Sequence, residues 1–218
     1  MIDGTFTQKS ARHFPVAAVV LAAGCSRRMG SENKLLSNLN GKPIALRVVE
    51  TVSASGADSI VVVTGHEADR VRSTLADCDV QFVHNGHYSE GLSTSLCTGI
   101  RAVPDEVAGA LICLGDMPLV TARLLTQLIE AFSRGHGRRV CLPVHHGRRG
   151  NPVLMPRAFF PLILELSGDQ GARTLLTRYP NLVEQIEVEN EGIFIDIDTP
   201  DDLGKIRGPK YLSLMANR

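Results

Sequence analysis

The sequence predicts a single α/β domain, a Rossmann-like three-layer sandwich in which helices cover both faces of a mostly parallel sheet. Strand-like and helix-like segments alternate along most of the 218 residues, as in chains built from β-α-β units. No linker rich in Pro, Gly or Ser divides the chain, and 44% hydrophobic with 21% charged residues is typical of a globular protein. We expect the domain to span 15–206, between a flexible N-terminal arm, 1–14, and a C-terminal tail, 207–218.

The individual elements follow from the hydrophobic pattern. The run over 15–21 is apolar and too short for a helix, so it predicts a strand over 16–22 that is buried on both faces. Further runs of strand length lie near 59–64, 80–84, 108–114, 138–144 and 193–197. Helical spacing of apolar residues covers 43–54, 67–76, 92–102 and 121–133. The second half of the chain adds an extended segment over 152–156. It also predicts two helices over 157–178, separated at Ser167-Gly168-Asp169. A last helix is predicted to begin with Thr199 as N-cap and Asp202 as capping-box partner.

Composition excludes several classes of function. The formal net charge is zero, so no overall field attracts nucleic acid or an anionic membrane. The polar N-terminal arm lacks the apolar core of a secretory signal and no apolar run is long enough to span a bilayer, so we expect a cytoplasmic protein. The five cysteines are scattered without Cys-x-x-Cys spacing, which argues against a disulfide framework or a zinc knuckle.

A loop of small residues comes directly after the first predicted strand. Ala22, Ala23 and Gly24 carry almost no side chain, so backbone N–H groups there can approach phosphate oxygens closely. Three cations follow and supply charge-assisted donors for the same anion, namely Arg27, Arg28 and Lys34. The loop has neither the Gly-Lys-Ser/Thr of a Walker loop nor the second glycine of the dinucleotide fingerprint. A simple tight connection is the structural alternative, but the clustered cations favour a triphosphate site.

Carboxylates follow two other predicted strands. Asp116 comes after 108–114 and Asp198 after 193–197, and ligands of open parallel sheets bind outside the carboxyl ends of the strands. Because Mg²⁺ is bound by one or two carboxylates together with phosphate oxygens, this pair suits a magnesium–triphosphate site. Asp196 is a reserve ligand, two residues earlier on the same predicted strand face. For any one of these carboxylates, a helix cap or a solvated turn residue is the alternative.

No nucleophile with a general base stands out. The chain has no Gly-x-Ser-x-Gly elbow, and its histidines are dispersed apart from the pairs His84/His87 and His145/His146. These pairs lack further ligands at metal-binding spacing, so we expect them to be polar surface or core residues. A site that works by positioning and charge neutralisation suits phosphoryl or nucleotidyl transfer.

Several separate motifs follow one another along the chain. They are the segments 21–34, Glu90-Gly91-Leu92-Ser93-Thr94-Ser95-Leu96, Gly115-Asp116-Met117-Pro118, Gly150-Asn151-Pro152-Val153-Leu154, Gly168-Asp169-Gln170-Gly171-Ala172-Arg173 and Asp196-Ile197-Asp198-Thr199-Pro200. In this order they resemble the motifs of the small nucleotidyltransferases that activate cofactors and sugars, and within that family those of the molybdenum cofactor cytidylyltransferases. The resemblance covers nearly the whole chain, from about Val16 to Leu203. The resemblance implies a glycosyltransferase-A-like form of the predicted fold. It also implies a reaction of CTP with molybdopterin, with Mg²⁺ or Mn²⁺ as cofactor and a molybdoenzyme or its chaperone as a further partner.

The same resemblance implies a role for each matching residue. The backbone of the segment Leu21, Ala22, Ala23 and Gly24 would hold the nucleotide, and Lys34 would neutralise the α-phosphate. Arg27 and Arg28 would steady the leaving pyrophosphate, with Arg28 the preferred catalytic residue of the two. Asp116 would be the main metal ligand and Asp198 the second. Ser93 and Ser95 would lie near the base or sugar, with helix capping as the alternative role, while Asn151, Asp169 and Arg173 would face the pterin.

Three positions differ from those of related family members, and two of them bear on the choice of nucleotide. The family commonly has His at the position of Asn151. Its guanylyl-transferring members have Gly at the position of Ala23 and Asp at that of Asn33. The residues Ala23 and Asn33 of this chain therefore favour CTP over GTP. A guanylyl transferase or a sugar- or polyol-phosphate nucleotidyltransferase of the same fold is one alternative. A non-catalytic carrier of the molybdenum cofactor is another, although a carrier has no need of a magnesium–triphosphate site.

Overall fold

The computed structural model describes residues 13–29, 32–208 and 211. Most of the predicted N-terminal arm and C-terminal tail, together with Gly30 and the side chain of Arg27, lie outside the described residues. The described strands are β1 Val16–Ala22, β2 Asn38–Leu39, β3 Lys42–Pro43, β4 Ser59–Thr64, β5 Gln81–His84, β6 Gly109–Leu114, β7 Val140–His145, β8 Arg148–Arg149, β9 Val153–Pro156 and β10 Val183–Glu187. The described α-helices are α1 Ile44–Ser53, α2 Ala68–Thr74, α3 Leu92–Ala102, α4 Ala122–Arg134, α5 Phe160–Leu164, α6 Arg173–Arg178 and α7 Pro200–Ile206.

The main sheet has the strand order β10-β7-β9-β6-β1-β4-β5, with β8 paired to β7. β1 is parallel to both of its neighbours, β4 and β6, while β9 runs antiparallel between β6 and β7. The chain moves from β1 outwards through β4 to β5 and then returns to the other side of β1 as β6. The topological switch therefore lies beside β1, and ligands of open α/β sheets bind at such a point.

Two apolar layers enclose the sheet, and β1 contributes to both. Val16, Ala18 and Val20 pack with residues of α1, α2 and α4. The alternate residues Ala17 and Val19 pack with residues of α3, α5 and α6, because successive side chains of a strand point to opposite faces. A strand buried on both faces is uniformly apolar, which explains the unbroken apolar run.

Helix α3 lies unusually close to the sheet because of a glycine. A Cβ on Gly99 would lie 2.4 Å from Val19 Cγ1 and 3.0 Å from Val63 Cγ2. The absence of a side chain there lets the helix backbone approach β1 and β4. The N-terminal end of α3 is thereby brought next to the carboxyl ends of these strands.

The predicted fold class is confirmed, and most predicted elements lie within two residues of the observed ones. The predicted strand over 193–197 is wrong, since Glu191–Phe194 is a 3-10 helix and the following residues are irregular. The sequence analysis also missed β10, which pairs parallel with β7 at the edge of the sheet. The extra segment is the antiparallel strand β9, and the capping box at Thr199 and Asp202 is present. Among the described residues, no helix is long and apolar enough to cross a membrane.

Candidate active site

A cleft of about 640 Å³ opens at the carboxyl ends of β1 and β6. These ends are adjacent because Leu21 is paired with Leu114 in the sheet. Eight of the sequence-predicted site residues line the cleft, namely Leu21, Ala23, Gly24, Lys34, Ser95, Asp116, Asp169 and Asp198. The cleft therefore combines the small-residue loop with both predicted metal ligands.

The backbone around the small-residue loop is tightly packed. Gly115 N donates to Leu21 O at 2.9 Å, and a Cβ on Gly115 would lie 2.8 Å from that same oxygen. On the other side of β1, His66 N donates to Ala23 O at 3.2 Å. Ala23 is buried while Gly24 is exposed, so the loop leaves the sheet at Gly24. The residues before Gly24 are held in place by these backbone hydrogen bonds.

Lys34 lies at the centre of the charged groups. Its Nζ lies 2.6 Å from Asp116 Oδ2 and 2.7 Å from Asp198 Oδ1, and its side chain is only 12% exposed. Arg28 Nη1 forms a further ion pair with Asp198 Oδ2 at 2.9 Å from a much more exposed position. The Lys34 backbone is anchored as well, since its N–H donates to Ser26 Oγ at 3.1 Å. One buried ammonium thus links the residues that follow β6 to those that precede α7.

Burial and the neighbouring charges have opposite effects on the pKa values of Lys34 and Asp116. Burial acts to lower the pKa of Lys34, but the nearby carboxylates of Asp116 and Asp198 outweigh it, so the pKa is raised. Burial also raises the pKa of the Asp116 carboxyl, and the adjacent ammonium opposes that shift. Lys34 therefore keeps its proton at neutral pH and stabilises the ionised form of the partly buried carboxylate.

Three carboxylates converge at this point. Oxygen atoms of Asp116, Asp196 and Asp198 all lie within 4.8 Å of one another. The reserve ligand Asp196 thus joins the cluster although the predicted strand that was to carry it is absent. Carboxylate oxygens are hard donors that suit Mg²⁺ or Mn²⁺, and the three acidic groups outnumber the two cations, Lys34 and Arg28, that contact them. The donor set therefore fits a divalent cation.

The side chains of four other predicted site residues do not line the cleft. Ala22 is buried against the α1 side of the sheet, so only its backbone is available to the cleft. Ser93 is buried, and its N–H donates to Gly168 O at 3.1 Å. Asn151 donates its backbone N–H to Ile193 O at 2.9 Å and is not part of the described cleft wall. Arg173 also lies outside that wall, with Nη2 donating to Arg149 O at 3.2 Å.

The structure adds residues to which the sequence analysis assigned no role in the site. Tyr88, Ser89 and Glu90 line the cleft from the short helical turn after β5. Asn85 is buried behind them and donates to Ser95 Oγ at 3.0 Å, which fixes that hydroxyl at the cleft wall. The rule that ligands bind after the carboxyl ends of strands could have identified this turn, because it follows a predicted strand.

Comparisons with known proteins agree with this geometry. Residues 18–183 match the family model described as the MobA-like NTP transferase domain. The chain is 27% identical over 188 residues to the molybdenum cofactor cytidylyltransferase of Escherichia coli, covering 86% of this chain and 93% of that protein. It is also 27% identical over 199 residues to the nicotine blue oxidoreductase of Paenarthrobacter nicotinovorans, covering 88% of this chain and 96% of that protein.

Solved structures show the same fold. The crystal structure of Rv0371c from Mycobacterium tuberculosis superposes with a TM-score of 0.80 at 24% identity, covering 90% of this chain and 99% of that chain. The same mycobacterial protein has also been solved in complex with manganese, with a TM-score of 0.76 at 23% identity, covering 88% of this chain and 97% of that chain.

Proposed function

The chain belongs to the MobA-like NTP transferase family, and from this premise we propose that it transfers a cytidylyl group from CTP to molybdopterin. The products are molybdopterin cytosine dinucleotide and pyrophosphate. The observation that carries the proposal is the convergence of Lys34, Asp116 and Asp198 beside the small-residue loop. Two relatives with different named activities are equally identical to this chain, so sequence identity alone does not choose between them. A buried lysine between carboxylates at a phosphate-sized loop favours nucleotidyl transfer.

The reaction needs no general base from the protein. An oxygen of the molybdopterin phosphate attacks the α-phosphorus of CTP, a new P–O bond forms, and the bond to the β-phosphate oxygen breaks to release pyrophosphate. A phosphate monoester is mostly ionised at neutral pH, since its second pKa is about 6. The described walls of the cleft hold carboxylates, a lysine, hydroxyls and the thiol of Cys25, and the proposed reaction uses none of them as a general base.

The chain's own residues would bind and align the triphosphate. Backbone N–H groups of Ala23 and Gly24 would donate to phosphate oxygens, and Arg28 would donate to the departing pyrophosphate. Lys34 is protonated and almost buried, so it would stabilise negative charge on the α-phosphate as the P–O bonds change. Groups that are already oriented toward developing charge stabilise a transition state without reorganisation.

Asp116 and Asp198 would hold a divalent cation, with Asp196 as a third donor. A Mg²⁺ or Mn²⁺ ion at these carboxylates would offset the charge of the triphosphate and leaving group. Lys34 now forms ion pairs with the same two carboxylates. A divalent cation there would supply positive charge to these carboxylates in place of Lys34, and the ammonium would then be available to donate to the α-phosphate.

The nucleotide and the acceptor are assigned on separate grounds. CTP is favoured over GTP by Ala23, which lines the cleft, and by the named activity of the Escherichia coli relative. Asp169 lies in the same cleft wall and would face the acceptor. For Asn151 and Arg173 the acceptor role needs a pterin that extends beyond this cleft, toward Arg149, whose carbonyl Arg173 contacts. Arg173 remains a cation there, although burial and then Arg148 lower its pKa, and it could pair with the acceptor phosphate.

Pyrophosphate release from the purified protein tests the proposal. CTP, GTP, ATP and UTP are compared with Mg²⁺ or Mn²⁺, with molybdopterin in both metal-free and molybdenum-loaded forms as acceptor. Release that requires CTP and molybdopterin together supports the proposal, whereas release with GTP assigns the guanylyl reaction. Release with a sugar or polyol phosphate as acceptor and none with molybdopterin would refute the proposed substrate. CTP or molybdopterin binding without turnover in any combination would favour a carrier instead.

A further inference from the structure

A buried amide lies directly behind Lys34. Asn33 is 3% exposed, and its Oδ1 accepts a hydrogen bond from Leu35 N at 3.1 Å as the N-cap of the 3-10 turn Lys34–Leu36. Its Nδ2 is buried and has no hydrogen-bond partner among the described residues. Leaving a buried amide donor without a hydrogen-bond partner is unfavourable, so we looked for a group that compensates it.

The second member of this arrangement is Glu67, in the loop between β4 and α2. Its φ of 50° is left-handed, a conformation that is strained for a residue with a side chain and that clusters near functional sites. Arg70 donates to Glu67 Oε1, while Oε2 is buried and lacks a hydrogen-bond partner among the described residues. The residue before it, His66, donates its N–H to Ala23 O. The same loop thus contacts the small-residue loop of the cleft.

The segments that carry Asn33 and Glu67 pack against each other, because α2, which begins directly after Glu67, contacts the 3-10 turn that begins directly after Asn33. Arg70 is the largest cause of a lowered pKa for the Glu67 carboxyl, burial opposes it, and hydrogen bonding from Asn33 lowers it further. The amide nitrogen is the only side-chain donor of Asn33, so the group that stabilises the ionised carboxylate is Nδ2. Asn33 Nδ2 is a buried donor without an acceptor, and Glu67 Oε2 is a buried acceptor without a donor among the described residues, so the two atoms are complementary in hydrogen-bonding role. His66 Nε2 lies 3.9 Å from the same carboxylate oxygen.

We propose that Asn33 and Glu67, whose amide nitrogen and carboxylate oxygen Oε2 are buried, form a positioning device that holds the turn carrying Lys34 against the carboxylates of the cleft. The inference rests on the proposed function. Residue 33 fixes the backbone on one side of Lys34 through its cap to Leu35 N, and Glu67 fixes residue 33 from the loop that also contacts Ala23. The pair therefore links the lysine and the small-residue loop to one support. A shift of about 1 Å in such a group can reduce turnover about 10²-fold.

This arrangement also assigns a different reason for Asn at position 33. Asn33 is buried and is not part of the described cleft wall. We therefore place its side chain against Glu67, which is a structural reason for an amide at this position. An aspartate at position 33 would place a second carboxylate against Glu67, which is unfavourable for two like charges.

A side-chain exchange tests the pair. Asn33→Asp places two carboxylates together, and the double variant Asn33→Asp/Glu67→Gln restores one amide and one carboxylate in exchanged positions. We expect Asn33→Asp to lower kcat about 10²-fold with a smaller change in KM for CTP, and the double variant to recover at least ten-fold of that loss. Asp69→Asn, which removes an exposed carboxylate from the same end of α2, is the matched control and should stay within two-fold of wild type.

A second measurement does not depend on turnover. Pulse acylation with acetic anhydride, read by mass spectrometry, reports the exposure and protonation of Lys34 relative to Lys205, whose side chain is 71% exposed. We expect Lys34 to be protected in wild type, labelled several-fold faster in Asn33→Asp and in Glu67→Ala, and protected again in the exchanged double variant. Unchanged Lys34 labelling in folded Glu67→Ala, or a double variant no better than Asn33→Asp, would overturn the positioning role. If wild type binds no nucleotide yet the labelling pattern holds, the proposed function fails and the positioning role stands.

Discussion

Replacing Asp116 by Asn removes one charge from the centre of the cleft and changes almost nothing else. The side chain is 19% exposed, and its Oδ2 lies 2.6 Å from the ammonium of Lys34. Asparagine has the same shape and keeps an oxygen that can accept from Lys34, so we expect the fold to be retained. What is lost is the charge that balances the buried lysine and that would bind a divalent cation.

The expected effect is a large loss of turnover with little loss of structure. Removing one main electrostatic stabiliser commonly costs about 10²–10³ in kcat, equivalent to about 2.7–4 kcal/mol. The corresponding change at Asp198 should cost less, because that side chain is 36% exposed and also contacts Arg28. The assay is pyrophosphate release with CTP and molybdopterin over a titration of Mg²⁺, with circular dichroism as the check on folding.

Asp201→Asn is the matched control for this change. Asp201 is an exposed carboxylate in the first turn of α7, three residues from Asp198, and it takes no part in the carboxylate cluster. Its variant should keep wild-type turnover. Unchanged turnover of Asp116→Asn at every metal concentration, or an equal loss in Asp201→Asn, would refute the role of Asp116.

Three further predictions follow from single contacts. Lys34→Ala should weaken CTP binding in calorimetry and lower kcat, since a protonated and almost buried cation is lost; an effect on neither would remove Lys34 from the site. Gly99→Ala should destabilise the fold by about 1–3 kcal/mol in urea unfolding, because the new methyl group would overlap a buried valine of β1, whereas Gly204→Ala in α7 has open space and should stabilise by up to about 1 kcal/mol. The pKa of the Asp202 carboxyl is lowered, and hydrogen bonds from Thr199 are the largest cause. The ionised carboxylate therefore stabilises the fold at pH values above its unfolded pKa of about 3.9. This stabilisation is lost as the pH falls through the folded pKa. The difference in unfolding free energy between wild type and Asp202→Asn should therefore be constant near neutral pH and shrink below about pH 4; equal differences at pH 7 and pH 2 would contradict it.

The central strands could be predicted because burial on both faces leaves a strong signal. β1 and β4 are continuous apolar runs, and their predicted bounds agree with the structure. The predicted strand over 193–197 was wrong because its alternating apolar residues serve a different packing. Ile193 fills the space left by Gly150, where a Cβ would lie 2.4 Å from Ile193 Cδ1, and Ile197 N donates to Asp116 O at 3.0 Å. Local pattern cannot distinguish these contacts from those of a sheet.

Strand β10 is present in the structure but was not predicted, because its sequence signal is weak. Val183–Glu187 alternates apolar and polar residues over only five positions at the edge of the sheet. Its strand conformation is stabilised by parallel pairing with β7, a partner that is distant in sequence. Strand propensity is dominated by such neighbours, so this segment was not separable from a loop.

The sequence by itself determined the fold class, the small-residue loop after β1 and the types of residue that we propose bind a triphosphate, because all three depend on local composition and on which residues follow a strand. Only the tertiary structure decided that Lys34 is buried between Asp116 and Asp198, that Asp196 completes the carboxylate cluster and that α2 packs against the turn that carries Lys34. These contacts join residues far apart in the chain, and the spacing of one element gives no information about the position of the other. The crossover of the chain at β1 brings the separate segments to one edge of the sheet.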